Sequence, residues 1–411
     1  MKRRGRFRVS ALVLAVLIVI LLSSDCFAEE GSAMRENENA VPDTVCFNSE
    51  GKLKIMVISD FQDGLYPVST TLKLVNAALD AEKPDLVVLG GDNIFGYAPT
   101  LHFSKANCLK AIEKMAAPVV ERGIPFCVIM GNHDADAPLS TYEQMQKFMS
   151  FPTCLARIGE AASGVGNYEI SVVDKDGKAV FGLWFLDSGN LAPKEEGGGY
   201  AYVTDEQIAW YEMRSAELQE QNGGSPLPSL LFQHIPVPEI YNVLKVVPKG
   251  SPGAFKGYRS HSNNYYAADE TALISGVYRE GPCPPDINNG QFESWVKMGN
   301  IMAAFFGHDH VNDAAASWRG IDLVYNGSVG FSSYCSGYDN GVRIIELDEA
   351  KPGSYSTRMV YYKDLLDEKL PFQQLHFGEL AFRASLAGCA LLLLILGLTV
   401  RGFVLIRRLL H

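Results

Sequence analysis

No Cys-x-x-Cys pair occurs in this chain, which excludes the cysteine spacing of a zinc ribbon or a thioredoxin-like redox centre. There is no internal repeat and no low-complexity tract, so stacked-repeat architectures do not apply. Positive charge is scarce: 36 Lys and Arg stand against 47 Asp and Glu, a formal net charge of −11. Nucleic acids and anionic lipid surfaces are held through basic patches, so no nucleic-acid partner is expected.

The basic residues that do occur gather at the two ends. Lys2, Arg3, Arg4, Arg6 and Arg8 precede an apolar run over residues 11–22, and Cys26-Phe27-Ala28 then leads to Glu29. A basic start, a short apolar stretch and a small residue at the cut read as a secretory signal, residues 1–28. Residues 384–400 are uncharged between Arg383 and Arg401, and 402–406 are apolar again before Arg407 and Arg408. With about 20 apolar residues needed to span a bilayer, and arginines able to reach the interface, residues 384–406 predict a transmembrane helix. More basic residues follow the run than immediately precede it, which puts a tail of residues 407–411 in the cytoplasm and the domain outside. The lipid bilayer is thus an expected partner through this helix, with 366–383 as the juxtamembrane stretch. Without the two ends, 27 basic residues face 46 acidic ones, near −19. A small anionic substrate remains compatible with that charge if metal ions supply local positive potential. Six cysteines lie between the ends, an even number that permits disulfides in an oxidising compartment, with no pairing assigned. Cys127, inside an apolar run over 126–130, reads as a buried strand residue.

Residues 29–50 are polar and without periodicity, and read as a flexible lead-in. Strands at 55–59, 86–90 and 126–130 alternate with helices at 71–81, 104–122 and 140–148, which predicts parallel strands with helical crossovers. Strands at 168–173 and 180–186 flank the turn Asp174-Lys175-Asp176-Gly177 as a hairpin. Thr204 caps a helix to about residue 219. A helix at 292–298 and strands at 229–233, 301–306, 322–325, 342–347 and 357–362 complete the pattern. Residues 236–290 lack strong periodicity and predict a long functional loop or lid. Its Tyr258, Tyr265, Tyr266 and Tyr278 would either stack on a base or pack. Two strand–helix–strand halves suggest two sheets face to face with helices outside, as one domain over 51–365.

Five segments carry the chemistry: Ser59-Asp60-Phe61-Gln62, Gly90-Gly91-Asp92-Asn93, Gly131-Asn132-His133-Asp134, Gln233-His234-Ile235-Pro236 and Gly307-His308-Asp309-His310. Each stands where an apolar strand opens into a loop, and open α/β sheets place their chemistry at the carboxyl ends of strands. Carboxylate, amide and imidazole together suit hard or borderline divalent metals. A carboxylate can hold two ions roughly 3.5–4 Å apart, which makes Asp92 the candidate bridge. Asp60 and His310 can hold one ion, and Asn132, His234 and His308 the other. Gly307 would let His308 and His310 face neighbouring ions. His133 would point at substrate, to stabilise phosphate oxygens and protonate a leaving alkoxide.

This set resembles the calcineurin-like metallophosphoesterase superfamily, with its D-x-H, G-D-x, G-N-H-[DE], lone His and G-H-x-H pattern. Gly91-Asp92-Asn93-Ile94-Phe95-Gly96, Phe185-Leu186-Asp187-Ser188-Gly189 and Gly307-His308-Asp309-His310-Val311-Asn312-Asp313 are similar to the purple-acid-phosphatase-29-like and Dcr2-like branch. The resemblance implies a four-layer αββα sandwich and two divalent metal ions of the Mn, Fe, Zn or Mg kind. It also implies hydrolysis of small phosphorylated substrates by a metal-bridging hydroxide. Asp60, Asp92, Asn132, His234, His308 and His310 then become ligands, and His133 the acid. Phosphodiesterase action on nucleotides or lipid headgroups, or a catalytically weakened binding module, are the alternatives. Two departures stand out. Gln62 replaces the histidine of D-x-H and offers one neutral oxygen as ligand, a poorer match to borderline metals than imidazole. Phe95 stands where purple enzymes carry tyrosinate, so no tyrosinate charge-transfer band is expected.

Overall fold

Long apolar runs flanked by turn residues become strands buried on both faces. In the computed structural model, which describes residues 44–159 and 163–376, these runs build two large mixed sheets. A short strand β1 (Thr44–Cys46) is followed by β2 (Lys52–Ile58), α1 (Ser69–Glu82), β3 (Leu86–Gly90), α2 (Lys105–Val120), β4 (Phe126–Ile129) and α3 (Thr141–Met149). Local chemistry sets these boundaries. Lys83, left-handed and followed by Pro84, closes α1. The Ser104 hydroxyl accepts from Asn107 N to start α2, and Ser140 with Glu143 forms a capping box at α3.

The hairpin follows, β5 (Tyr168–Val173) and β6 (Ala179–Phe185), then α4 (Asp205–Gln221), capped by Thr204 and Gln207, and β7 (Ser229–Phe232). Next come β8 (Leu244–Val247), β9 (Phe255–Lys256), β10 (Tyr265–Ala268) and β11 (Leu273–Ser275). The chain continues through α5 (Gln291–Met298), β12 (Ile301–Phe306), β13 (Ala315–Trp318), β14 (Ile321–Tyr325), β15 (Gly341–Asp348) and β16 (Tyr355–Tyr361). One sheet has the order β16-β15-β2-β3-β4, the other β1-β5-β6-β7-β12-β14-β13-β11. β2, β3 and β4 are mutually parallel, as are β6, β7, β12 and β14.

Period-2 alternation divides the second sheet between two cores. Leu183, Phe185, Leu230, Phe232, Ala303, Phe305 and Val324 join the core shared with the first sheet and with α1–α3. Trp184, Leu186, Leu231, Ala304, Phe306, Leu323 and Tyr325 turn the other way, onto Tyr211 and Leu218 of α4 and Phe292 and Trp295 of α5. The rings of Tyr168, Phe185, Phe232 and Phe305 stack from strand to strand, with centroids 4.5, 5.3 and 5.3 Å apart. This ladder fixes the level at which β7 and β12 end, and therefore the height of the loops that follow them.

Residues 236–290 are not the long loop that their lack of periodicity predicts. They hold a 3-10 helix (Pro238–Val243) and the small sheet β8-β10-β9, while β11 joins the larger sheet. Strands of two to four residues are too short to display a period. Tyr266 and Tyr278 are buried in this region and pack. The lead-in also carries structure: β1 pairs in parallel with β5, a partner too distant in sequence to leave a local signal. Cys127 is buried in β4 as expected, and the six cysteines among the described residues are free thiols. Among the described residues no helix is long and apolar enough to cross a membrane, and the expected signal (1–28) and transmembrane helix (384–406) lie outside them.

Candidate metal centre

Because β2, β3, β4, β7 and β12 point the same way within their sheets, the segments after them meet at one edge. Asp60, Asp92 and His234 each offer one ligand atom, and the three atoms lie within 4.8 Å of one another. All three residues are buried. His234 Nε2 stands 3.3 Å from Asp92 Oδ2 and 3.9 Å from Asp60 Oδ1. His310 Nε2 approaches Asp60 Oδ1 at 3.4 Å. Asn132 Oδ1 and His308 Nδ1 are 2.8 Å apart, and His308 N donates to Asp60 Oδ1 at 3.2 Å.

Backbone carbonyls orient two of the imidazoles from behind. His234 Nδ1 lies 3.0 Å from Gly90 O, and His310 Nδ1 2.9 Å from Tyr334 O, an arrangement that directs each Nε2 inward. The backbone itself is strained at this edge. Asp60 (φ 53°), Gln62 (φ 44°), Asp92 (φ 50°) and His308 (φ 72°) all occupy the left-handed region. Such conformations cost roughly 1–3 kcal/mol each in non-glycine residues and gather at functional sites. The turn expected of Gly307 is therefore made by His308. Gly307 serves another purpose: a Cβ there would stand 2.8 Å from Asp60 Oδ2 and 2.9 Å from His234 Nδ1.

Burial and neighbouring charge set the protonation states. Burial first, and then the charge of His234, hold the His308 imidazole well below its ordinary range. Burial takes His310 down to about 4. Both are therefore neutral near pH 7, the form that coordinates metals. Burial acts against the charged forms of Asp92 and His234 alike, but their mutual attraction outweighs it. Asp92 is held below the usual carboxylate range, and His234 is drawn up to about 10. Burial lifts Asp60 well above that range. A cation entering here displaces protons, so its affinity falls with falling pH.

Four buried side-chain atoms at the centre lack a hydrogen-bond partner: Asp60 Oδ2, Gln62 Oε1, His234 Nε2 and His308 Nε2. Leaving such an atom unsatisfied costs about 1–3 kcal/mol. Two imidazole nitrogens, a carboxylate oxygen and an amide oxygen, all buried without partners on neighbouring segments, are the donor set a borderline divalent cation takes. The residues thus fit a metal. Gln62 is within the cluster, with its Nε2 donating to Asp92 Oδ2 at 2.6 Å.

His133 sits at the rim, its side chain 30% exposed. Its backbone N donates to Asp92 Oδ1 at 2.8 Å, and Nδ1 meets Asp136 Oδ2 at 2.8 Å. Three supporting residues escaped the sequence reading. Asp136 is one, and its spacing of three from His133 was the available signal. Asp134 is another: its carboxylate accepts from the backbone N of Gly131, Asn93 and Ile94, tying two of the five segments together. Tyr334, whose ring stacks on that of His310 at 4.3 Å, left no signal.

Two facing mixed sheets with a buried carboxylate–imidazole group at their strand ends define an α/β sandwich of the metallophosphatase-like kind. A family profile for calcineurin-like phosphoesterases matches residues 53–312, more than half of the chain, and the chain belongs to that family. Its similar relatives include an Arabidopsis thaliana protein named probable inactive purple acid phosphatase 14, 29% identical over 384 residues that cover 85% of this chain and 86% of that one. Probable inactive purple acid phosphatase 29 of the same plant is 29% identical over 68% of each chain. Phosphatase DCR2 of Saccharomyces cerevisiae is 29% identical over 64% of this chain and 45% of that one. A solved structure of a dimetal phosphatase from Danio rerio aligns with 75% of this chain and 99% of its own, at 13% identity and a TM-score of 0.43.

Proposed function

We propose that this protein is a metal-dependent phosphoric ester hydrolase that cleaves phosphomonoesters, on a domain stacked helix, sheet, sheet, helix in four layers. The observation that carries the reading is the convergence of Asp60, Asp92 and His234 within 4.8 Å beneath a partly exposed His133. Asp60, Gln62 and His310 would hold one divalent cation, Asn132, His234 and His308 a second, and Asp92 both. When bound, such cations polarise phosphoryl oxygens and acidify water, whose pKa moves from about 16 toward 7. The remaining work belongs to the chain. Asp136 accepts from His133 Nδ1, which leaves Nε2 free to face the ester oxygen and give it a proton as the bond to phosphorus breaks. Burial of the carboxylates excludes bulk water and strengthens every charge interaction at the site. Phosphate is admitted although the chain is acidic, because the cations supply the positive potential.

A second reading, a weakened binding module, is favoured by Gln62. Its amide nitrogen, rather than its oxygen, addresses Asp92. The names of the plant relatives point the same way. Metal analysis of the full chain, with assays on a phosphomonoester and a phosphodiester, decides among the readings. About two ions per chain with monoester turnover supports the hydrolase. Bound metal without turnover supports the binding module, and faster diester cleavage the diesterase. A chain that takes up no Mn²⁺, Fe²⁺ or Zn²⁺ defeats all three.

Gln62→His tests the departure directly. Histidine tolerates the left-handed backbone at φ 44° better than glutamine and brings a borderline donor. Zinc affinity is expected to rise ~10–100-fold, the range over which changes around metal ligands act. Competition against a colorimetric chelator measures it, and unchanged affinity would remove Gln62 from the ligand set.

The location follows from the ends of the chain. The catalytic domain would lie outside the membrane, anchored by residues 384–406, with the C-terminus cytoplasmic. Protease protection of a C-terminal tag in sealed vesicles distinguishes this orientation from its reverse.

A further inference from the structure

Tyr97 is 57% exposed, yet its ring is not loose. It meets Phe95 edge-on with centroids 6.1 Å apart and His133 edge-on at 5.5 Å. The short segment that carries it is pinned on three sides. Phe95 N donates to Asp63 O at 3.0 Å, Gly96 N donates to His133 O at 3.1 Å, and Gly96 O lies 2.8 Å from His102 Nε2. A Cβ at Gly96 would stand 2.2 Å from His133 O, so only glycine lets this segment lie directly on the His133 backbone. Tyr97 is therefore registered to His133 by main-chain contacts, and its position follows that of the proton donor.

This registration has a chemical meaning. Asp60, Asp92 and His234 are buried, whereas the His133 side chain reaches solvent, so the departing alcohol of an ester lies on the His133 side. Phe95 and His133 meet the Tyr97 ring at steep angles and Asp136 accepts from its hydroxyl, while more than half of the side chain stays open to whatever that alcohol carries. A phenol ring offers a flat apolar face at small conformational cost, suited to stacking with another ring.

Resting on the phosphoesterase reading, we propose that Tyr97 is a leaving-group subsite that selects esters whose alcohol carries a planar aromatic ring. The ring stacks on Tyr97 while the ester oxygen stands at His133. An aryl, benzyl or nucleoside phosphate meets this requirement, and a glycerol or sugar phosphate does not.

The test compares ligands matched in charge. Titration calorimetry of the Mn²⁺-loaded full chain with benzylphosphonate and methylphosphonate reads the subsite without turnover. Parallel assays with benzyl phosphate and cyclohexylmethyl phosphate hold the leaving-group basicity nearly constant while removing the flat ring. The native chain is expected to prefer the benzyl member of each pair by about tenfold, the order of one base stacked on an aromatic side chain. Tyr97→Phe should keep that preference and Tyr97→Ala should erase it, with metal content equal in all three proteins. Equal affinity of the native chain for both phosphonates overturns the subsite, and so does a preference that survives Tyr97→Ala. A phosphonate preference in a chain that cleaves neither ester leaves the subsite standing and defeats the hydrolase reading instead.

Discussion

Asp92→Asn is expected to remove bound metal and phosphoester hydrolysis together. Asp92 is fully surrounded: Gln62 Nε2 donates to Oδ2, His133 N donates to Oδ1, and His234 Nε2 lies 3.3 Å from Oδ2. An asparagine keeps the volume and loses the charge. Its amide must also place an NH₂ against the His133 N–H, donor facing donor, or against the Gln62 amide, which would have to turn its oxygen inward to accept. The larger part of the attraction that now draws His234 up is lost with the carboxylate, leaving Asp60 and the Gly90 carbonyl. Losing the shared anionic ligand withdraws several kcal/mol of charge stabilisation, which corresponds to a fall in kcat/KM on the order of 10³-fold or more. Metal analysis, turnover of a phosphomonoester and a thermal melt on the same preparation make the comparison. A variant that folds, retains two ions and turns over within tenfold of the native chain would falsify the bridging role.

The candidate ligand positions were legible because each stands two to four residues beyond the end of an apolar strand. Parallel strands share a direction, so segments scattered from Asp60 to His310 had to meet at one edge. What could not be read was whatever depends on a distant partner. β9 is two residues long, and only its pairing with β10 makes it a strand. β1 exists because β5 accepts it. The left-handed backbone at Asp60, Gln62, Asp92 and His308 has no local signal either, since none of these is glycine. It persists because the packed strands beneath over-determine it. The same reason hid the role of Asp134, which stands at the end of Gly131-Asn132-His133-Asp134. Its purpose appears only when the loop after β3 is seen to hang from its carboxylate.

His133→Ala is expected to separate chemistry from metal binding. The contact that His133 makes with the candidate bridge comes from its backbone N–H, and alanine retains that donor. Bound metal should therefore be unchanged. What is lost is an imidazole held by Asp136 at 2.8 Å, with one nitrogen committed to the carboxylate and the other free for the ester oxygen. A positioned general acid contributes typically about 10²–10⁴-fold, and kcat should fall by that amount for alkyl phosphates. For 4-nitrophenyl phosphate, whose leaving group departs without a proton, the loss should be much smaller. The dependence of rate on leaving-group basicity must then be steeper in the variant than in the native chain. Asp136→Asn should shift that dependence the same way but less far, because the amide oxygen can still accept from Nδ1 and hold the ring in place. If His133→Ala loses metal, or slows both esters equally, His133 supports the site and does not donate the proton.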